Sequence, residues 1–196
     1  MTDEFATALR QVARSLLDTR AASHALHAGG YAPPVRLLDT DGVPLSLERR
    51  FAKQPLILVF SRGPWCPVSR AELSELQDFL PALVHTGAGA AAITPQLVAD
   101  NRATAEALGL NFPLLSDSRG RIARAFGLHY KLPTGVTALG HAEIGACLPA
   151  ADRAGRSWLA MSARYVLSHT GIIEYSEVGP TPTRAPFTRL LRVLAG

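Results

Sequence analysis

Ile57-Leu-Val-Phe-Ser-Arg-Gly-Pro-Trp-Cys-Pro-Val-Ser69 is the stretch whose reading decides the fold. Leu56 to Phe60 is a short apolar run of the kind that fills the middle of a sheet, and Gly63 and Pro64 break it. Pro67 suits the first turn of a helix, where its missing N–H is no loss. Beyond it, Leu73, Leu76, Phe79, Leu80 and Leu83 recur at helical spacing and predict an amphipathic helix of about four turns. Strand, tight turn and helix together deliver Cys66 to a helix start. Unpaired backbone N–H groups and the helix dipole favour negative charge at such a place. The thiolate is the reactive form of cysteine, so the arrangement points to sulfur chemistry.

Working outward, residues 3–28 read as a first helix, with Phe5, Leu9, Val12 and Leu16 along one stripe. Gly29-Gly30 ends it, and Pro33-Pro34 keeps the next segment extended. Val35 to Leu38 and Val43 to Leu45 flank the turn signal Asp39-Thr-Asp-Gly42. Ser46 is placed to cap a short helix carrying Glu48, Arg49 and Arg50. Ala88 to Ile93 is fully apolar and suits a central parallel strand. Thr94-Pro95 starts a helix that runs to Leu108 and stops at Gly109. Phe112 to Leu115 reads as a strand, and Ser116-Asp-Ser118 as the cap of a helix through Phe126. Residues 128–160 show no period and read as a long loop, a kind of segment that often borders functional sites. Arg164 to Ser168 and Ile172 to Glu177 form a hairpin around His169-Thr-Gly171, and a last helix covers 185–195. Strand–helix units followed by a hairpin and a helix predict an α/β sandwich with a central mixed sheet, extended by an N-terminal helix and a β-hairpin. Its second half resembles the thioredoxin fold. The expected division is an N-terminal helix over 1–30 and one domain over 31–196.

The bulk numbers narrow the function. With 196 residues, 47% of them hydrophobic, the chain can bury one substantial core. Nothing approaches the roughly 18 uninterrupted apolar residues of a membrane helix, so no membrane role is expected. Asp3, Glu4, Arg10 and Arg14 make the N-terminus an amphipathic helix rather than a signal peptide, and a cytoplasmic address is expected. The net charge of +4 is scattered arginine, Lys53 and Lys131 being the two lysines, without the basic and aromatic interleaving of a nucleic-acid groove. Two cysteines, Cys66 and Cys147, are too few for a disulfide framework. No closed set of Cys and His ligands stands at zinc spacing, and the lone His24 and His27 pair lacks a third ligand; no metal and no bound cofactor are expected.

At Arg62-Gly-Pro-Trp-Cys-Pro-Val-Ser69, with Glu72-Leu73 behind it, the chain resembles the peroxiredoxin-like branch of the alkyl hydroperoxide reductase and thiol-specific antioxidant family. Ala91-Ala-Ile-Thr-Pro-Gln96 and Phe112-Pro-Leu-Leu-Ser-Asp117, followed by Ala123-Arg-Ala-Phe-Gly127, carry the resemblance over roughly residues 30–180. It implies that Cys66 is a peroxidatic thiol, oxidised by a small peroxide to a sulfenic acid that a second thiol resolves. Three positions depart from the family pattern. Ser69 stands where members usually carry a second cysteine, Ser162 stands at the cis-proline position, and Gly63 stands where a Thr or Ser holds the peroxide. The first departure implies a one-cysteine enzyme regenerated by thioredoxin, glutaredoxin or glutathione.

The residue readings leave alternatives. Arg62 lies near the sulfur to assist O–O cleavage, or pairs with a surface carboxylate. Ser69 donates a hydrogen bond to the sulfur or caps the helix. Trp65, with Pro64 beside it, walls the thiol on the substrate side or fills core volume. Arg164 is the alternative cation, and Glu72 faces the first helical turn. Cys147 is a resolving thiol or an incidental apolar residue. His129, His141 and His169 read as surface residues. The apolar stripe of the first helix offers a homodimer contact, or packs on its own domain. The competing functional readings are a binding or redox-sensing module without turnover, and a monothiol transferase acting on glutathione adducts.

Overall fold

The structure is a computed structural model and describes residues 2–18, 20–145, 148–179 and 185–194. Its central strand is β3 (Leu56–Phe60), five consecutive buried residues. Alternation sends Ile57 and Val59 to one face and Leu56, Leu58 and Phe60 to the other, and both faces are covered. That is why the run is apolar throughout rather than alternating.

The strands β1 (Arg36–Leu38), β2 (Pro44–Ser46), β4 (Gly89–Thr94), β5 (Leu114–Ser116), β8 (Ser162–Leu167) and β9 (Ile173–Gly179) complete a seven-stranded sheet in the order β2-β1-β5-β4-β3-β8-β9. β3, β4 and β5 are parallel, while β8 joins β3 antiparallel with Val59 opposite Arg164. The β1–β2 turn is closed by Asp39, whose Oδ1 accepts from the N–H groups of Asp41 and Val43, 2.9 Å each. Parallel βαβ units followed by an antiparallel hairpin and a terminal helical segment make a thioredoxin-like sandwich with a mixed sheet.

One face of the sheet carries α3 (Pro67–His85), which buries Leu73, Leu76, Phe79 and Leu83 against Ile57, Val59, Ala90 and Ala92. Each such leucine is worth about 1.5–3 kcal/mol of burial, enough to hold the helix against the strand that feeds it. The same face takes Phe187 and Leu190, in a 3-10 turn over Phe187–Leu190 that runs into α7 (Leu191–Leu194). The terminal helix is therefore shorter than the sequence predicts. α2 (Leu47–Arg50) is capped as expected, Ser46 accepting from Arg49 N–H. α4 (Val98–Leu108) begins later than expected because Thr94 still belongs to β4, pairs with Ser116, and hands its hydroxyl proton to Asn101 Oδ1 at 2.7 Å. α5 (Arg121–Ala125) is tethered by Asp117, whose carboxylate accepts from Ala123 N–H at 2.8 Å. Burial, opposed by these backbone donors, raises the pKa of Asp117.

Two expectations need correction. The first helix, α1, covers Asp3–Asp18 rather than 3–28: Arg20 adopts a left-handed φ of 52°, and a 3-10 turn at Ala21–His24 follows. His24 and His27 thus do not share a helix face. The segment 128–160 is not a long loop. It holds β6 (His129–Lys131), α6 (Thr134–Ile144) and β7 (Trp158–Ala160), with β6 and β7 forming a separate two-stranded sheet. α6 carries Gly135, Gly140 and β-branched residues, poor helix formers, so tertiary packing holds it in place. A β-carbon on Gly140 would meet the Phe5 ring at 3.1 Å and a Leu148 methyl at 2.7 Å, so α1 packs into a notch on α6. Thr2 adds hydrogen bonds to Glu143 from its N–H and its hydroxyl. The apolar stripe of α1 therefore meets its own chain, with Leu9 and Val12 packed on Leu132, Leu148 and Leu159. Among the described residues, no helix is long and apolar enough to cross a membrane.

Candidate active site

The loop between β3 and α3 is closed by its own hydrogen bonds. Ser61 N–H continues the ladder to Ile93 O at 2.9 Å, and its hydroxyl accepts from Gly63 N–H at 3.3 Å. Gly63 takes φ +111°, which side-chain-bearing residues rarely adopt, and its carbonyl accepts from Cys66 N–H at 3.2 Å. Arg62 N–H donates to Ser69 Oγ at 3.2 Å, tying the loop to the first turn of the helix. Cys66 emerges as the N-cap of α3, with extended φ −90° and ψ 116°, followed by Pro67 at the first helical position. It stands at the N-terminus of a 19-residue helix, where unpaired N–H groups and the dipole favour negative charge. The residue is 7% exposed, so the thiol is nearly enclosed.

Two residues that sequence reasoning did not select stand around this loop. Gln96, 2% exposed, lies at the end of β4 with its amide against Gly63: a β-carbon on Gly63 would stand 2.6 Å from Nε2 and 2.9 Å from Cδ. Its backbone is held on both sides, N–H donating to Thr94 Oγ1 at 3.1 Å and the carbonyl accepting from the Ser116 hydroxyl. Tyr130, on β6, comes from the segment without periodicity. Burial raises its pKa above the usual tyrosine value; the charge of Arg62 opposes that rise and the charge of Cys66 adds to it. Tyr130 also packs in the same apolar cluster as Trp65, its link to the loop of Cys66. The signal for Gln96 lay in the Thr-Pro-Gln turn. For Tyr130 it was only an aromatic residue in an aperiodic stretch.

The expected site residues divide accordingly. Cys66, Arg62 and Ser69 are brought together. Ser69 is 2% exposed, and its oxygen accepts from the Arg62 backbone. Trp65 and Pro64 are half-buried. Trp65 stacks obliquely on Phe5, ring centroids 5.9 Å apart, within the cluster of Leu132, Leu148 and Leu159. It thus joins the loop of the thiol to the cover made by α1 and α6. Arg164 is held by partners of its own. Its Nε donates to Glu72 at 2.7 Å, Nη1 to Ala185 O at 2.6 Å and Nη2 to Glu75 at 3.4 Å, and the guanidinium lies 3.8 Å from the Phe187 ring centre. Arg164 and Glu72 are almost wholly buried. Glu72 therefore answers Arg164 rather than the first turn of the helix, and Arg164 is an anchor between β8 and α3. Cys147 lies outside the described residues. Ser162 opens β8 and is buried, and the peptide bonds of the described residues are all trans. His129 is not a plain surface residue: it stacks on Trp158, with centroids 5.1 Å apart and an interplanar angle of 19°.

Comparison with known proteins gives the family and the fold. Alkyl hydroperoxide reductase E of Mycobacterium tuberculosis is 29% identical over 105 residues, covering 53% of this chain and 69% of the relative; its Mycobacterium bovis counterpart matches equally. Among solved structures, peroxidoxin BcpB of Mycobacterium tuberculosis superposes with a TM-score of 0.70 at 18% identity, covering 87% of this chain and 97% of that one. Enterococcus faecalis AhpC gives 0.63 at 19%, covering 87% and 91%. At these identities the structural likeness is one of fold. The family model of AhpC/TSA matches residues 28–176, most of the chain and the whole stretch from the first hairpin through Cys66 to β9, and the chain belongs to the AhpC/TSA family.

Proposed function

We propose that this chain is a peroxide reductase of one-cysteine type, with Cys66 as the peroxidatic thiol. One observation carries the reading: in a member of this family, Cys66 caps the N-terminus of a long helix at the end of the central strand, in a loop locked by its own hydrogen bonds. The Mycobacterium relatives named alkyl hydroperoxide reductase E support it.

The thiolate sulfur attacks the terminal oxygen of a hydroperoxide, R–O–O–H. An S–O bond forms as the O–O bond breaks. Sulfur is oxidised by two electrons to a sulfenic acid, and the departing alkoxide takes a proton to become an alcohol or water. The positive end of α3 and the Arg62 guanidinium oppose the charge that builds on the two oxygens. Ser69 acts by fixing the Arg62 backbone to the helix, and Trp65 and Pro64 border the approach to the sulfur. An external thiol then displaces hydroxide from the sulfenic acid. This forms a mixed disulfide and, with a proton, water; a second thiol releases Cys66. Thioredoxin, glutaredoxin or glutathione would serve, and a cytoplasmic setting supplies them.

The test is intact mass spectrometry after one equivalent of hydrogen peroxide with a sulfenic-acid trap, on wild type and Cys66→Ser. A trap adduct on wild type alone supports the reading. A loss of two hydrogens joining Cys66 to Cys147 makes Cys147 a resolving thiol and overturns the one-cysteine part. No change in either protein overturns peroxide reduction.

A further inference from the structure

β1 meets β5 through one residue pair, Leu38 with Ser116. The strands are antiparallel, so Arg36, two residues back along β1, runs past the carboxyl end of β5 instead of pairing with it. The opening holds a cavity of about 380 Å³, at a place where α/β sheets commonly take a ligand, outside the carboxyl ends of parallel strands. Three guanidinium groups line it, those of Arg36, Arg119 and Arg121. None of the three is in an ion pair among the described residues. The side chains of Arg36 and Arg119 have no hydrogen-bond partner there either. Arg121 gives Nη2 to the Arg36 carbonyl at 2.9 Å, which holds it against the cavity wall and leaves the rest of its fork uncommitted. The acid in the lining, Asp117, is 3% exposed, and its carboxylate accepts from Ala123 N–H at 2.8 Å and from other N–H groups at the start of α5. Its charge is thus directed to that helix, and Arg121 acts on it without the contact of an ion pair. The half-buried Ser118 adds a hydroxyl without a partner among the described residues, and Leu37, Leu38 and Pro44 add an apolar strip.

We propose that this cavity binds a small organic phosphate, its phosphate held by Arg36, Arg119 and Arg121 and its carbon body resting on Leu37, Leu38 and Pro44. Planar guanidinium forks match oxyanions in both geometry and charge. A carboxylate has two oxygens to share among three forks. A phosphate monoester has three, and carries about −1.5 to −2 of charge near neutral pH. The site is separate from the thiol: β5 lies two strands from β3, about 10 Å across the sheet. The assignment therefore does not depend on how Cys66 reacts.

The experiment is a titration followed in amide proton–nitrogen NMR correlation spectra, with phenyl phosphate, inorganic phosphate and phenol as probes at constant ionic strength. Wild type is compared with Arg36→Gln, Arg119→Gln and Arg121→Gln, each checked by a thermal melt. Phenyl phosphate should shift the amides of residues 36–38 and 116–121 and saturate. Inorganic phosphate should shift the same amides about tenfold more weakly, for want of the apolar contact, and phenol should leave them unmoved. Each arginine variant should lose about tenfold in affinity for phenyl phosphate. Arg36 and Arg119 hold no other group with their side chains, so these two variants keep the test valid if Arg121→Gln does not fold. No saturable shift with either phosphate overturns the proposal. Shifts that sodium chloride reproduces overturn it as well, since they report only the screening of surface charge. Affinity unchanged in Arg36→Gln and Arg119→Gln places the binding elsewhere and also overturns it. Phenyl phosphate that binds no tighter than inorganic phosphate overturns the role given to the apolar strip.

Discussion

The first turn of α3 holds Cys66 among backbone N–H groups, hydroxyls and an amide, whereas about two turns further along the same helix Glu72 lies in a buried ion pair with Arg164. At the thiol end the polar partners are Ser61, Ser69 and the Gly63 carbonyl, with Gln96 against the loop and Arg62 the cation of that loop. At the second turn one guanidinium meets two carboxylates and a carbonyl, roofed by Phe187. The difference separates two uses of polarity. Enclosed, fully paired charge joins β8 to α3 and holds the helix in register. Backbone donors, a helix end and a loop arginine leave the sulfur able to change its charge during reaction. Substitutions at the ion pair should therefore be read in stability, and substitutions at the thiol end in rate.

The largest effect expected away from the cysteine itself comes from breaking the ion pair. Arg164→Met leaves Glu72 buried without its partner, which costs about 3–5 kcal/mol, and urea denaturation measures it. The still-folded variant should keep the wild-type peroxide rate. Adding Glu72→Leu should restore much of the lost stability, since replacing both charges removes the stranded one. If Arg164→Met instead loses rate and keeps its stability, the first and second turns of the helix are not distinct in use, and Arg164 belongs to the chemistry.

Arg62→Gln is the mirror experiment. It should lower the peroxide rate of Cys66 by up to about a hundredfold, because the cation proposed to meet the developing oxygen charge is gone. The urea midpoint should barely move. A large drop in midpoint with an unchanged rate would make Arg62 another structural anchor.

The smallest effect expected lies in the cover over the thiol loop. Burial lowers the pKa of His129 below its ordinary 6.5, and the charges of Arg124 and Lys131 lower it further. The neutral imidazole stacks on Trp158 and meets Arg124 Nη1 at 3.1 Å. Below about pH 6.5 the unfolded chain takes up a proton that the folded chain resists, so stability present above that pH falls as pH falls through the folded value. Thermal melts at pH 7.5 and 5.5 should show this slope in wild type and a shallower one in His129→Asn. Asp152, held well below the usual carboxylate range chiefly by Lys131, acts only at far lower pH and does not blur the test.

Much of this molecule can be read from local pattern. The break at Gly63-Pro64, Pro67 as the first helical residue, the Asp39 turn and the Ser46 cap are short-range effects, and each appears where the pattern places it. The missing pieces depend on distant partners. Arg164 finds Glu72 across 92 residues of sequence, so nothing near it announces the pair. α6 is a helix because Phe5 and Leu148 close on Gly140, not because its residues favour helix. α1 ends early at a left-handed arginine rather than at the glycine pair that pattern reading expects. Gln96 packs into the space that Gly63 leaves open, a complementarity visible once β3 and β4 lie side by side.

The central claim is that Cys66 at the head of α3 is a peroxide-reducing thiol, and stopped-flow fluorescence tests it most directly, with Trp65 as the neighbouring reporter. Mixing the reduced protein with hydrogen peroxide should give a fast phase whose rate rises linearly with peroxide. That rate should exceed the rate for free cysteine at the same pH by about a hundredfold or more. The phase should vanish in Cys66→Ser and persist in Arg164→Met. A Cys66 that reacts no faster than free cysteine would contradict the account.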